Sequence, residues 1–160
     1  MILILDFGSQ YTQLIARRVR EANVYCEIHP FDLPVEQIRK INPRGIILSG
    51  GPSSLYDEGA PNLSADVLNV GCPVLGICYG MYVLAHHHGA NAAGSAEREY
   101  GPATLVLDRE DRLFAGLCGS EHQVWMSHGD RIESIPEGFV AIAHSTNSPF
   151  AAFRSRDSRL

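Results

Sequence analysis

The sequence predicts an α/β protein: a doubly wound, mostly parallel sheet with helices on both faces, followed by a smaller antiparallel or mixed C-terminal part. Three observations carry this. Short, wholly apolar runs such as Ile2–Leu5 and Gly45–Leu48 read as central parallel strands, which are buried on both faces and show no polar alternation. Segments of helical spacing lie between them, joined by short Gly/Pro/Asn loops, the alternation that builds βαβ units. After about Asn91 the pattern gives way to short strand candidates separated by turns, with little helix.

In chain order, Ile2–Leu5 is the first strand, broken by Asp6-Phe7-Gly8-Ser9. Ser9 is placed to cap a helix over about Gln10–Ala22, where Leu14, Ile15, Arg18 and Val19 fall at helical spacing. Val24–His29 is a second strand, and Pro34–Ile41 a helix with proline near its start. Gly45–Leu48 is the third strand, Pro61–Val70 a further helix, and Pro73–Gly76 the fourth strand. Downstream, Ala103–Leu107, Val124–Met126, Phe139–His144 and Ala151–Arg154 are strand candidates, expected to add to the main sheet.

A chain of 160 residues suits one domain, so 1–160 is read as a single unit with a sizeable core. Its net charge of −5, with no Lys/Arg block, argues against nucleic acid or an anionic membrane as partner. The apolar start Met1–Leu5 meets Asp6 at once and is too short for a signal peptide, and no segment approaches membrane-spanning length. The four cysteines lack paired metal spacing; no metal site is expected, and reduced thiols in the cytoplasm are the simplest account.

The most informative run is Pro73-Val74-Leu75-Gly76-Ile77-Cys78-Tyr79-Gly80-Met81. Gly-x-Cys-x-Gly between a strand and a helix has the form of a nucleophile elbow with cysteine in place of serine. Glycines two residues either side allow a tight, strained turn that lifts the thiol out of the fold. The helix that follows sets its positive end beneath the sulfur and favours the thiolate. The competing reading is a buried structural cysteine in an ordinary turn.

Ser49-Gly50-Gly51-Pro52-Ser53 lies at another strand's carboxyl end, where open α/β sheets form their ligand crevice. Its backbone N–H groups suit an oxyanion, with the Tyr79 N–H as second donor. A phosphate loop lacks the Lys-Ser/Thr ending here, and a plain Gly-Pro turn is the bland alternative. In Trp125-Met126-Ser127-His128-Gly129-Asp130, read as polar loop after an apolar strand end, His128 is a general base or a positioning or surface group. His86-His87-His88 cannot converge on one ion from consecutive helical positions and reads as helix surface near a Gly89 cap. Glu97-Arg98-Glu99-Tyr100-Gly101 reads as a solvated charged loop.

Together, Asp6-Phe7-Gly8-Ser9-Gln10-Tyr11-Thr12-Gln13, Leu48-Ser49-Gly50-Gly51-Pro52, Gly76–Met81, Arg98-Glu99-Tyr100-Gly101 and Val124–Asp130 resemble the class I (triad) glutamine amidotransferase domain. The likeness runs through the whole chain and is closest to the branch that serves GMP synthesis. It implies hydrolysis of glutamine to glutamate and ammonia, with no cofactor in this domain. The ammonia would pass to an ATP- and magnesium-dependent synthetase domain or subunit that aminates xanthosine monophosphate. By position, Cys78 would form a glutamyl thioester, and Gly51 and Tyr79 would supply oxyanion N–H groups. Gly50, Tyr82, Ser127, His128, Gly129 and Asp130 would bind the substrate.

Two departures accompany the resemblance. Tyr82 stands where the family has a glutamine that helps hold the substrate, so weaker glutamine binding is expected. The family's catalytic His and Glu belong to a His-Pro-Glu segment that would fall past Leu160, so the chain is read as a domain cut short before it. A related reading is another class I subunit of the anthranilate-synthase type, against which Trp125–Asp130 argues. A reading of a different kind is a catalytically silent glutamine-binding or regulatory module docked on a synthetase, favoured by Tyr82 and the absent His-Pro-Glu.

Overall fold

A computed structural model describes residues 1–90 and 92–160, with backbone only for 92–99 and Gly129. It divides into two compact units, Met1–His87 with Arg159–Leu160, and His88–Ser158.

The first unit is built on four parallel strands in the order β2-β1-β3-β4: β1 (Ile2–Asp6), β2 (Cys26–Pro30), β3 (Gly45–Leu48) and β4 (Val74–Gly76). Leu3, Ile4, Leu5, Ile46 and Leu48 are all but fully buried, which is why these runs carry no polar alternation. The connecting helices are α1 (Thr12–Glu21), α2 (Val35–Ile41), α3 (Ala65–Leu68) and, after β4, α4 (Tyr79–His87). Ala16 of α1 and Cys26 of β2 pack on Ile4, with Ile15, Val19, Ile28 and Ile47 around them. The chain winds from β1 outward to β2, then returns past β1 to β3. That reversal is the doubly wound pattern, and it sets the carboxyl ends of β1 and β3 side by side at a topological switch point.

Two helices differ from expectation. Ser9 does not cap α1: its Oγ accepts the Tyr11 N–H at 3.0 Å and its carbonyl the Thr12 N–H at 3.2 Å. The serine thus closes a turn ahead of the helix, which starts at Thr12 with no side-chain cap. The expected Pro61–Val70 helix shrinks to the four residues of α3, capped by Ser64. The Pro61 carbonyl, which a longer helix would use internally, instead accepts the Tyr79 hydroxyl at 2.6 Å.

The second unit has its own antiparallel sheet, ordered β6-β5-β7-β8, and not an extension of the parallel one: β5 (Ala92–Leu107), β6 (Glu121–Ile132), β7 (Phe139–His144) and β8 (Ala152–Ser155). A single 3₁₀ turn, Arg112–Phe114, follows β5. The Phe139 ring packs on Phe153 and His88, beside fully buried Ile142 and Ala143. Glu97–Gly101 and Ser127–Asp130, both expected as loops, lie within β5 and β6, and β6 also contains the expected strand Val124–Met126. Polar composition misled there because the pairing that makes these segments strands comes from partners distant in sequence. Among the described residues, no helix is long and apolar enough to cross a membrane.

Candidate active site

Cys78 has φ +53°, a left-handed conformation that a residue with a side chain adopts only where its surroundings impose it. The surroundings are visible. A Cβ on Gly76 would stand 2.6 Å from the Gly80 carbonyl oxygen, and one on Gly80 would stand 2.4 Å from the Leu48 oxygen. Both glycines are therefore required by close backbone approach, as their spacing predicts. The Ile77 N–H donates to the Leu48 carbonyl at 3.0 Å and the Gly80 N–H to the Ser49 carbonyl at 3.1 Å, locking the turn to the end of β3. Beyond it, the Cys78 carbonyl accepts the Met81 and Tyr82 N–H groups, so the sulfur-bearing residue opens α4 at its positive end.

The Ser49–Pro52 loop lies against this turn. A Cβ on Gly50 would be 3.4 Å from the Cys78 Cβ, and one on Gly51 would strike the Phe7 carbonyl oxygen at 2.6 Å. Gly51 therefore admits no side chain without moving the Phe7 backbone, while Gly50 lies in ordinary contact distance of the Cys78 Cβ. Tyr79 contributes its backbone at the elbow, while its side chain is structural: buried, hydroxyl on Pro61, ring tilted against Phe7 at 5.6 Å. Tyr82 sits one helical turn past Cys78 on the buried side of α4. The structure thus gathers Gly50, Gly51, Cys78 and Tyr79 in the first unit, with Tyr82 just beneath them in sequence and helix.

Ser127, His128, Gly129 and Asp130 belong to the second unit, consecutive on β6. Ser127 pairs with Tyr100 and His128 with Glu99; the next pair joins Asp130 to Gly94. Residues 95–98 of β5 therefore face a single residue, Gly129, and this wide bulge is what distinguishes the segment from a regular ladder. His128 Nδ1 lies 2.9 Å from the Asp130 carbonyl oxygen, which fixes the ring and assigns that nitrogen the proton.

The other thiols separate cleanly from Cys78. Cys26 and Cys72 are buried, and burial pushes the Cys72 thiol above its ordinary pKa; Cys118 is exposed in a surface loop. Among the described residues no group of three or more His, Cys, Asp or Glu side chains is arranged to hold a metal. One feature escaped sequence reasoning: a hydrogen-bonded group of Asp6, Thr12 and Ser49 behind the glycine loop. Its only sequence signal is a polar residue directly after each of two apolar strands.

A cysteine at positive φ in a Gly-x-Cys-x-Gly turn at the carboxyl edge of a doubly wound sheet, with a diglycine loop beside it, is the geometry of a nucleophile elbow on an α/β scaffold. The chain belongs to the glutamine amidotransferase class-I family, whose model matches residues 3–160. Its relatives include the GMP synthase [glutamine-hydrolyzing] of Desulfotalea psychrophila, 54% identical over 97% of this chain and 30% of that protein. That of Staphylococcus carnosus is 50% identical over 100% of this chain and 31% of that one. The chain thus spans about 30% of the length of these relatives. Among solved structures, a protein from Thermoplasma acidophilum described as a GMP synthase component superimposes with a TM-score of 0.84 at 28% identity, covering 99% of this chain and 79% of that one. A glutamine amidotransferase from Thermotoga maritima, 20% identical with a TM-score of 0.70 over 96% of this chain and 70% of that one, shares the fold.

Proposed function

We propose that the chain is the glutamine-hydrolysing part of a GMP-forming enzyme. The Cys78 thiolate attacks the side-chain amide carbon of glutamine. The C–S bond forms as the carbonyl π pair moves to oxygen, where the Gly51 and Tyr79 N–H groups receive it. On collapse the C–N bond breaks, the amide nitrogen takes up a proton and leaves as ammonia, and a glutamyl thioester remains. Water then cleaves the C–S bond to give glutamate and return the thiol. Ser127, His128, Gly129 and Asp130, with Gly50, bind the glutamine main-chain groups. The ammonia is consumed by an ATP- and magnesium-dependent synthetase domain or subunit that aminates xanthosine monophosphate.

The observation that carries this reading is the strained backbone of Cys78 between two glycines that admit no side chain. Strain of that kind persists where the surrounding structure over-determines it, and it clusters at sites of chemistry. The test is glutamate release in the presence of a synthetase partner. Cys78→Ala is expected to abolish it, and His128→Ala to raise KM with kcat largely kept. Full activity in Cys78→Ala would end the proposal, and a loss confined to kcat in His128→Ala would make that histidine the base.

Tyr82 supports a second reading, a glutamine-binding module without turnover. A phenol in place of a carboxamide offers one hydroxyl where a carbonyl oxygen and an NH2 group would act. If that weakens binding, Tyr82→Gln should tighten glutamine affinity by roughly 5- to 150-fold, the worth of one hydrogen bond to a buried polar group. Calorimetric titration of both forms decides; equal affinity would remove Tyr82 from the pocket.

A further inference from the structure

We infer that Asp6 and Ser49 act as a positioning clamp that fixes the Gly50–Gly51 backbone against Cys78 and so sets the oxyanion geometry. The inference rests on the glutaminase reading above and assigns these residues a part in it without contact to the reacting atoms.

The last ladder bond between β1 and β3 runs from the Ser49 N–H to the Leu5 carbonyl at 3.0 Å. Beyond it two loops leave the switch point, and side chains take over the task of the ladder. Ser49 is fully buried. Its Oγ accepts the Phe7 N–H at 3.0 Å and lies 3.0 Å from the Gly50 carbonyl oxygen and 3.4 Å from Asp6 Oδ1. The same carboxylate oxygen accepts the Gly8 N–H at 2.9 Å and the Thr12 hydroxyl at 2.7 Å. One oxygen therefore ties the β1 loop, the first turn of α1 and the end of β3 together. Thr12 is also buried, and in such surroundings a satisfied network is stiff.

The clamp reaches the site through backbone contact. Ser49 holds the Phe7 amide, and the Phe7 carbonyl oxygen defines how near Gly51 can come, since a Cβ there would lie only 2.6 Å away. On the other side Gly50 abuts the Cys78 Cβ. A shift of the Asp6–Ser49 link therefore moves the Gly51 N–H relative to the sulfur. Oxyanion donors work over a few tenths of an ångström, and a misplacement of about 1 Å can cost roughly 10²-fold.

The experiment separates oxyanion binding from thiol reactivity in the full chain. Open-chain glutamate γ-semialdehyde takes the Cys78 sulfur at its aldehyde carbon: a C–S bond forms, the carbonyl π bond breaks, and the thiol proton ends on the new oxygen. Iodoacetamide alkylates the same sulfur with loss of iodide and develops no oxyanion. Asp6→Ala and Ser49→Ala are expected to weaken hemithioacetal affinity roughly 10- to 100-fold while the Cys78 alkylation rate stays within about twofold. Asp6→Asn, which keeps the Oδ1 acceptor, should restore most of the affinity, and Thr12→Val should give a smaller loss than either alanine variant. If Asp6→Ala fails to fold, Ser49→Ala and Thr12→Val carry the same test. Unchanged affinity in the variants, or parallel loss of both reactions, would overturn the clamp. A wild-type chain whose Cys78 is alkylated but takes no aldehyde would overturn the glutaminase reading itself.

Discussion

In the parallel unit, site geometry is written into the backbone: glycines that tolerate no Cβ, a cysteine at positive φ, amides bonded across strand ends. In the antiparallel unit the site residues stand on one long strand beside a bulge, and exposed Tyr100 and Trp125 accompany them. The first arrangement suits covalent chemistry, which depends on sub-ångström placement of a nucleophile and its oxyanion donors. The second suits recognition, where polar groups on an irregular strand present main-chain and side-chain partners to a ligand. Under the proposed function, bond-making falls to residues 49–79 and ligand selection to residues 127–130.

The largest expected effect tests whether this division is complete. The 160 residues contain no His-Pro-Glu segment. If residues 127–130 only bind, the chain assayed by itself lacks the group that takes the thiol proton and serves the attacking water. Its glutamate release should then fall about 10²- to 10⁴-fold below that of a chain extended through His-Pro-Glu, both with a synthetase partner. Comparable rates would show that a histidine within the chain, His128 first, is the base, and the contrast would break.

A second effect contrasts the glycines of the two regions. Gly80→Ala drives a methyl group into the Leu48 backbone, with carbonyl oxygen and carbon at 2.4 and 2.7 Å, and neither can yield without moving β3. Overpacking of this kind costs about 3 kcal/mol at the upper end of its usual range. Gly119→Ala, in the turn before β6, meets no atom within 4 Å and suffers only from its φ of +85°, a cost of about 1 kcal/mol. Urea unfolding of both variants measures the difference; equal losses would mean that the elbow is no more constrained than a surface turn.

What the sequence shows about these regions follows the same divide. The central strands β1 and β3 are legible because burial on both faces leaves wholly apolar runs. The elbow is legible because its glycines lie within two positions of the cysteine. The Asp6–Ser49 link joins residues 43 apart, and no local pattern announces it. Pro61–Val70 reads as helix on composition, yet a hydrogen bond from Tyr79, 18 positions on, claims its first carbonyl. Ser127–Asp130 reads as loop because glycine and polar groups cluster there. The partner strand, some thirty positions upstream, supplies the pairing that makes it β-structure.

The smallest effect concerns charge. In the antiparallel unit, Arg154 Nε donates to Asp111 Oδ2, and the Leu113 N–H donates to Asp111 Oδ1 at 3.0 Å. The Asp111 side chain is only 6% exposed. Burial pushes its carboxyl up, but the Leu113 N–H and the Arg154 guanidinium outweigh this and hold it below the usual carboxylate pKa. The folded state therefore binds that proton less readily than the unfolded chain. The stability gained is present above the ordinary carboxylate pKa of about 4 and is lost as the pH falls through the lowered value. Asp111→Asn should cost about 1.5–3 kcal/mol at neutral pH, the worth of hydrogen bonds to a charged group, and the deficit should shrink as wild type is acidified. In the parallel unit, Glu21 makes two ion pairs with Arg17 and Arg18 on the open face of α1. Solvent and salt screen both, so Glu21→Gln should leave the unfolding midpoint unchanged. Denaturant titrations of the two variants across pH 3–7 compare them directly. A pH-independent Asp111→Asn deficit would show that packing, not the charged pair, ties the 3₁₀ turn to β8.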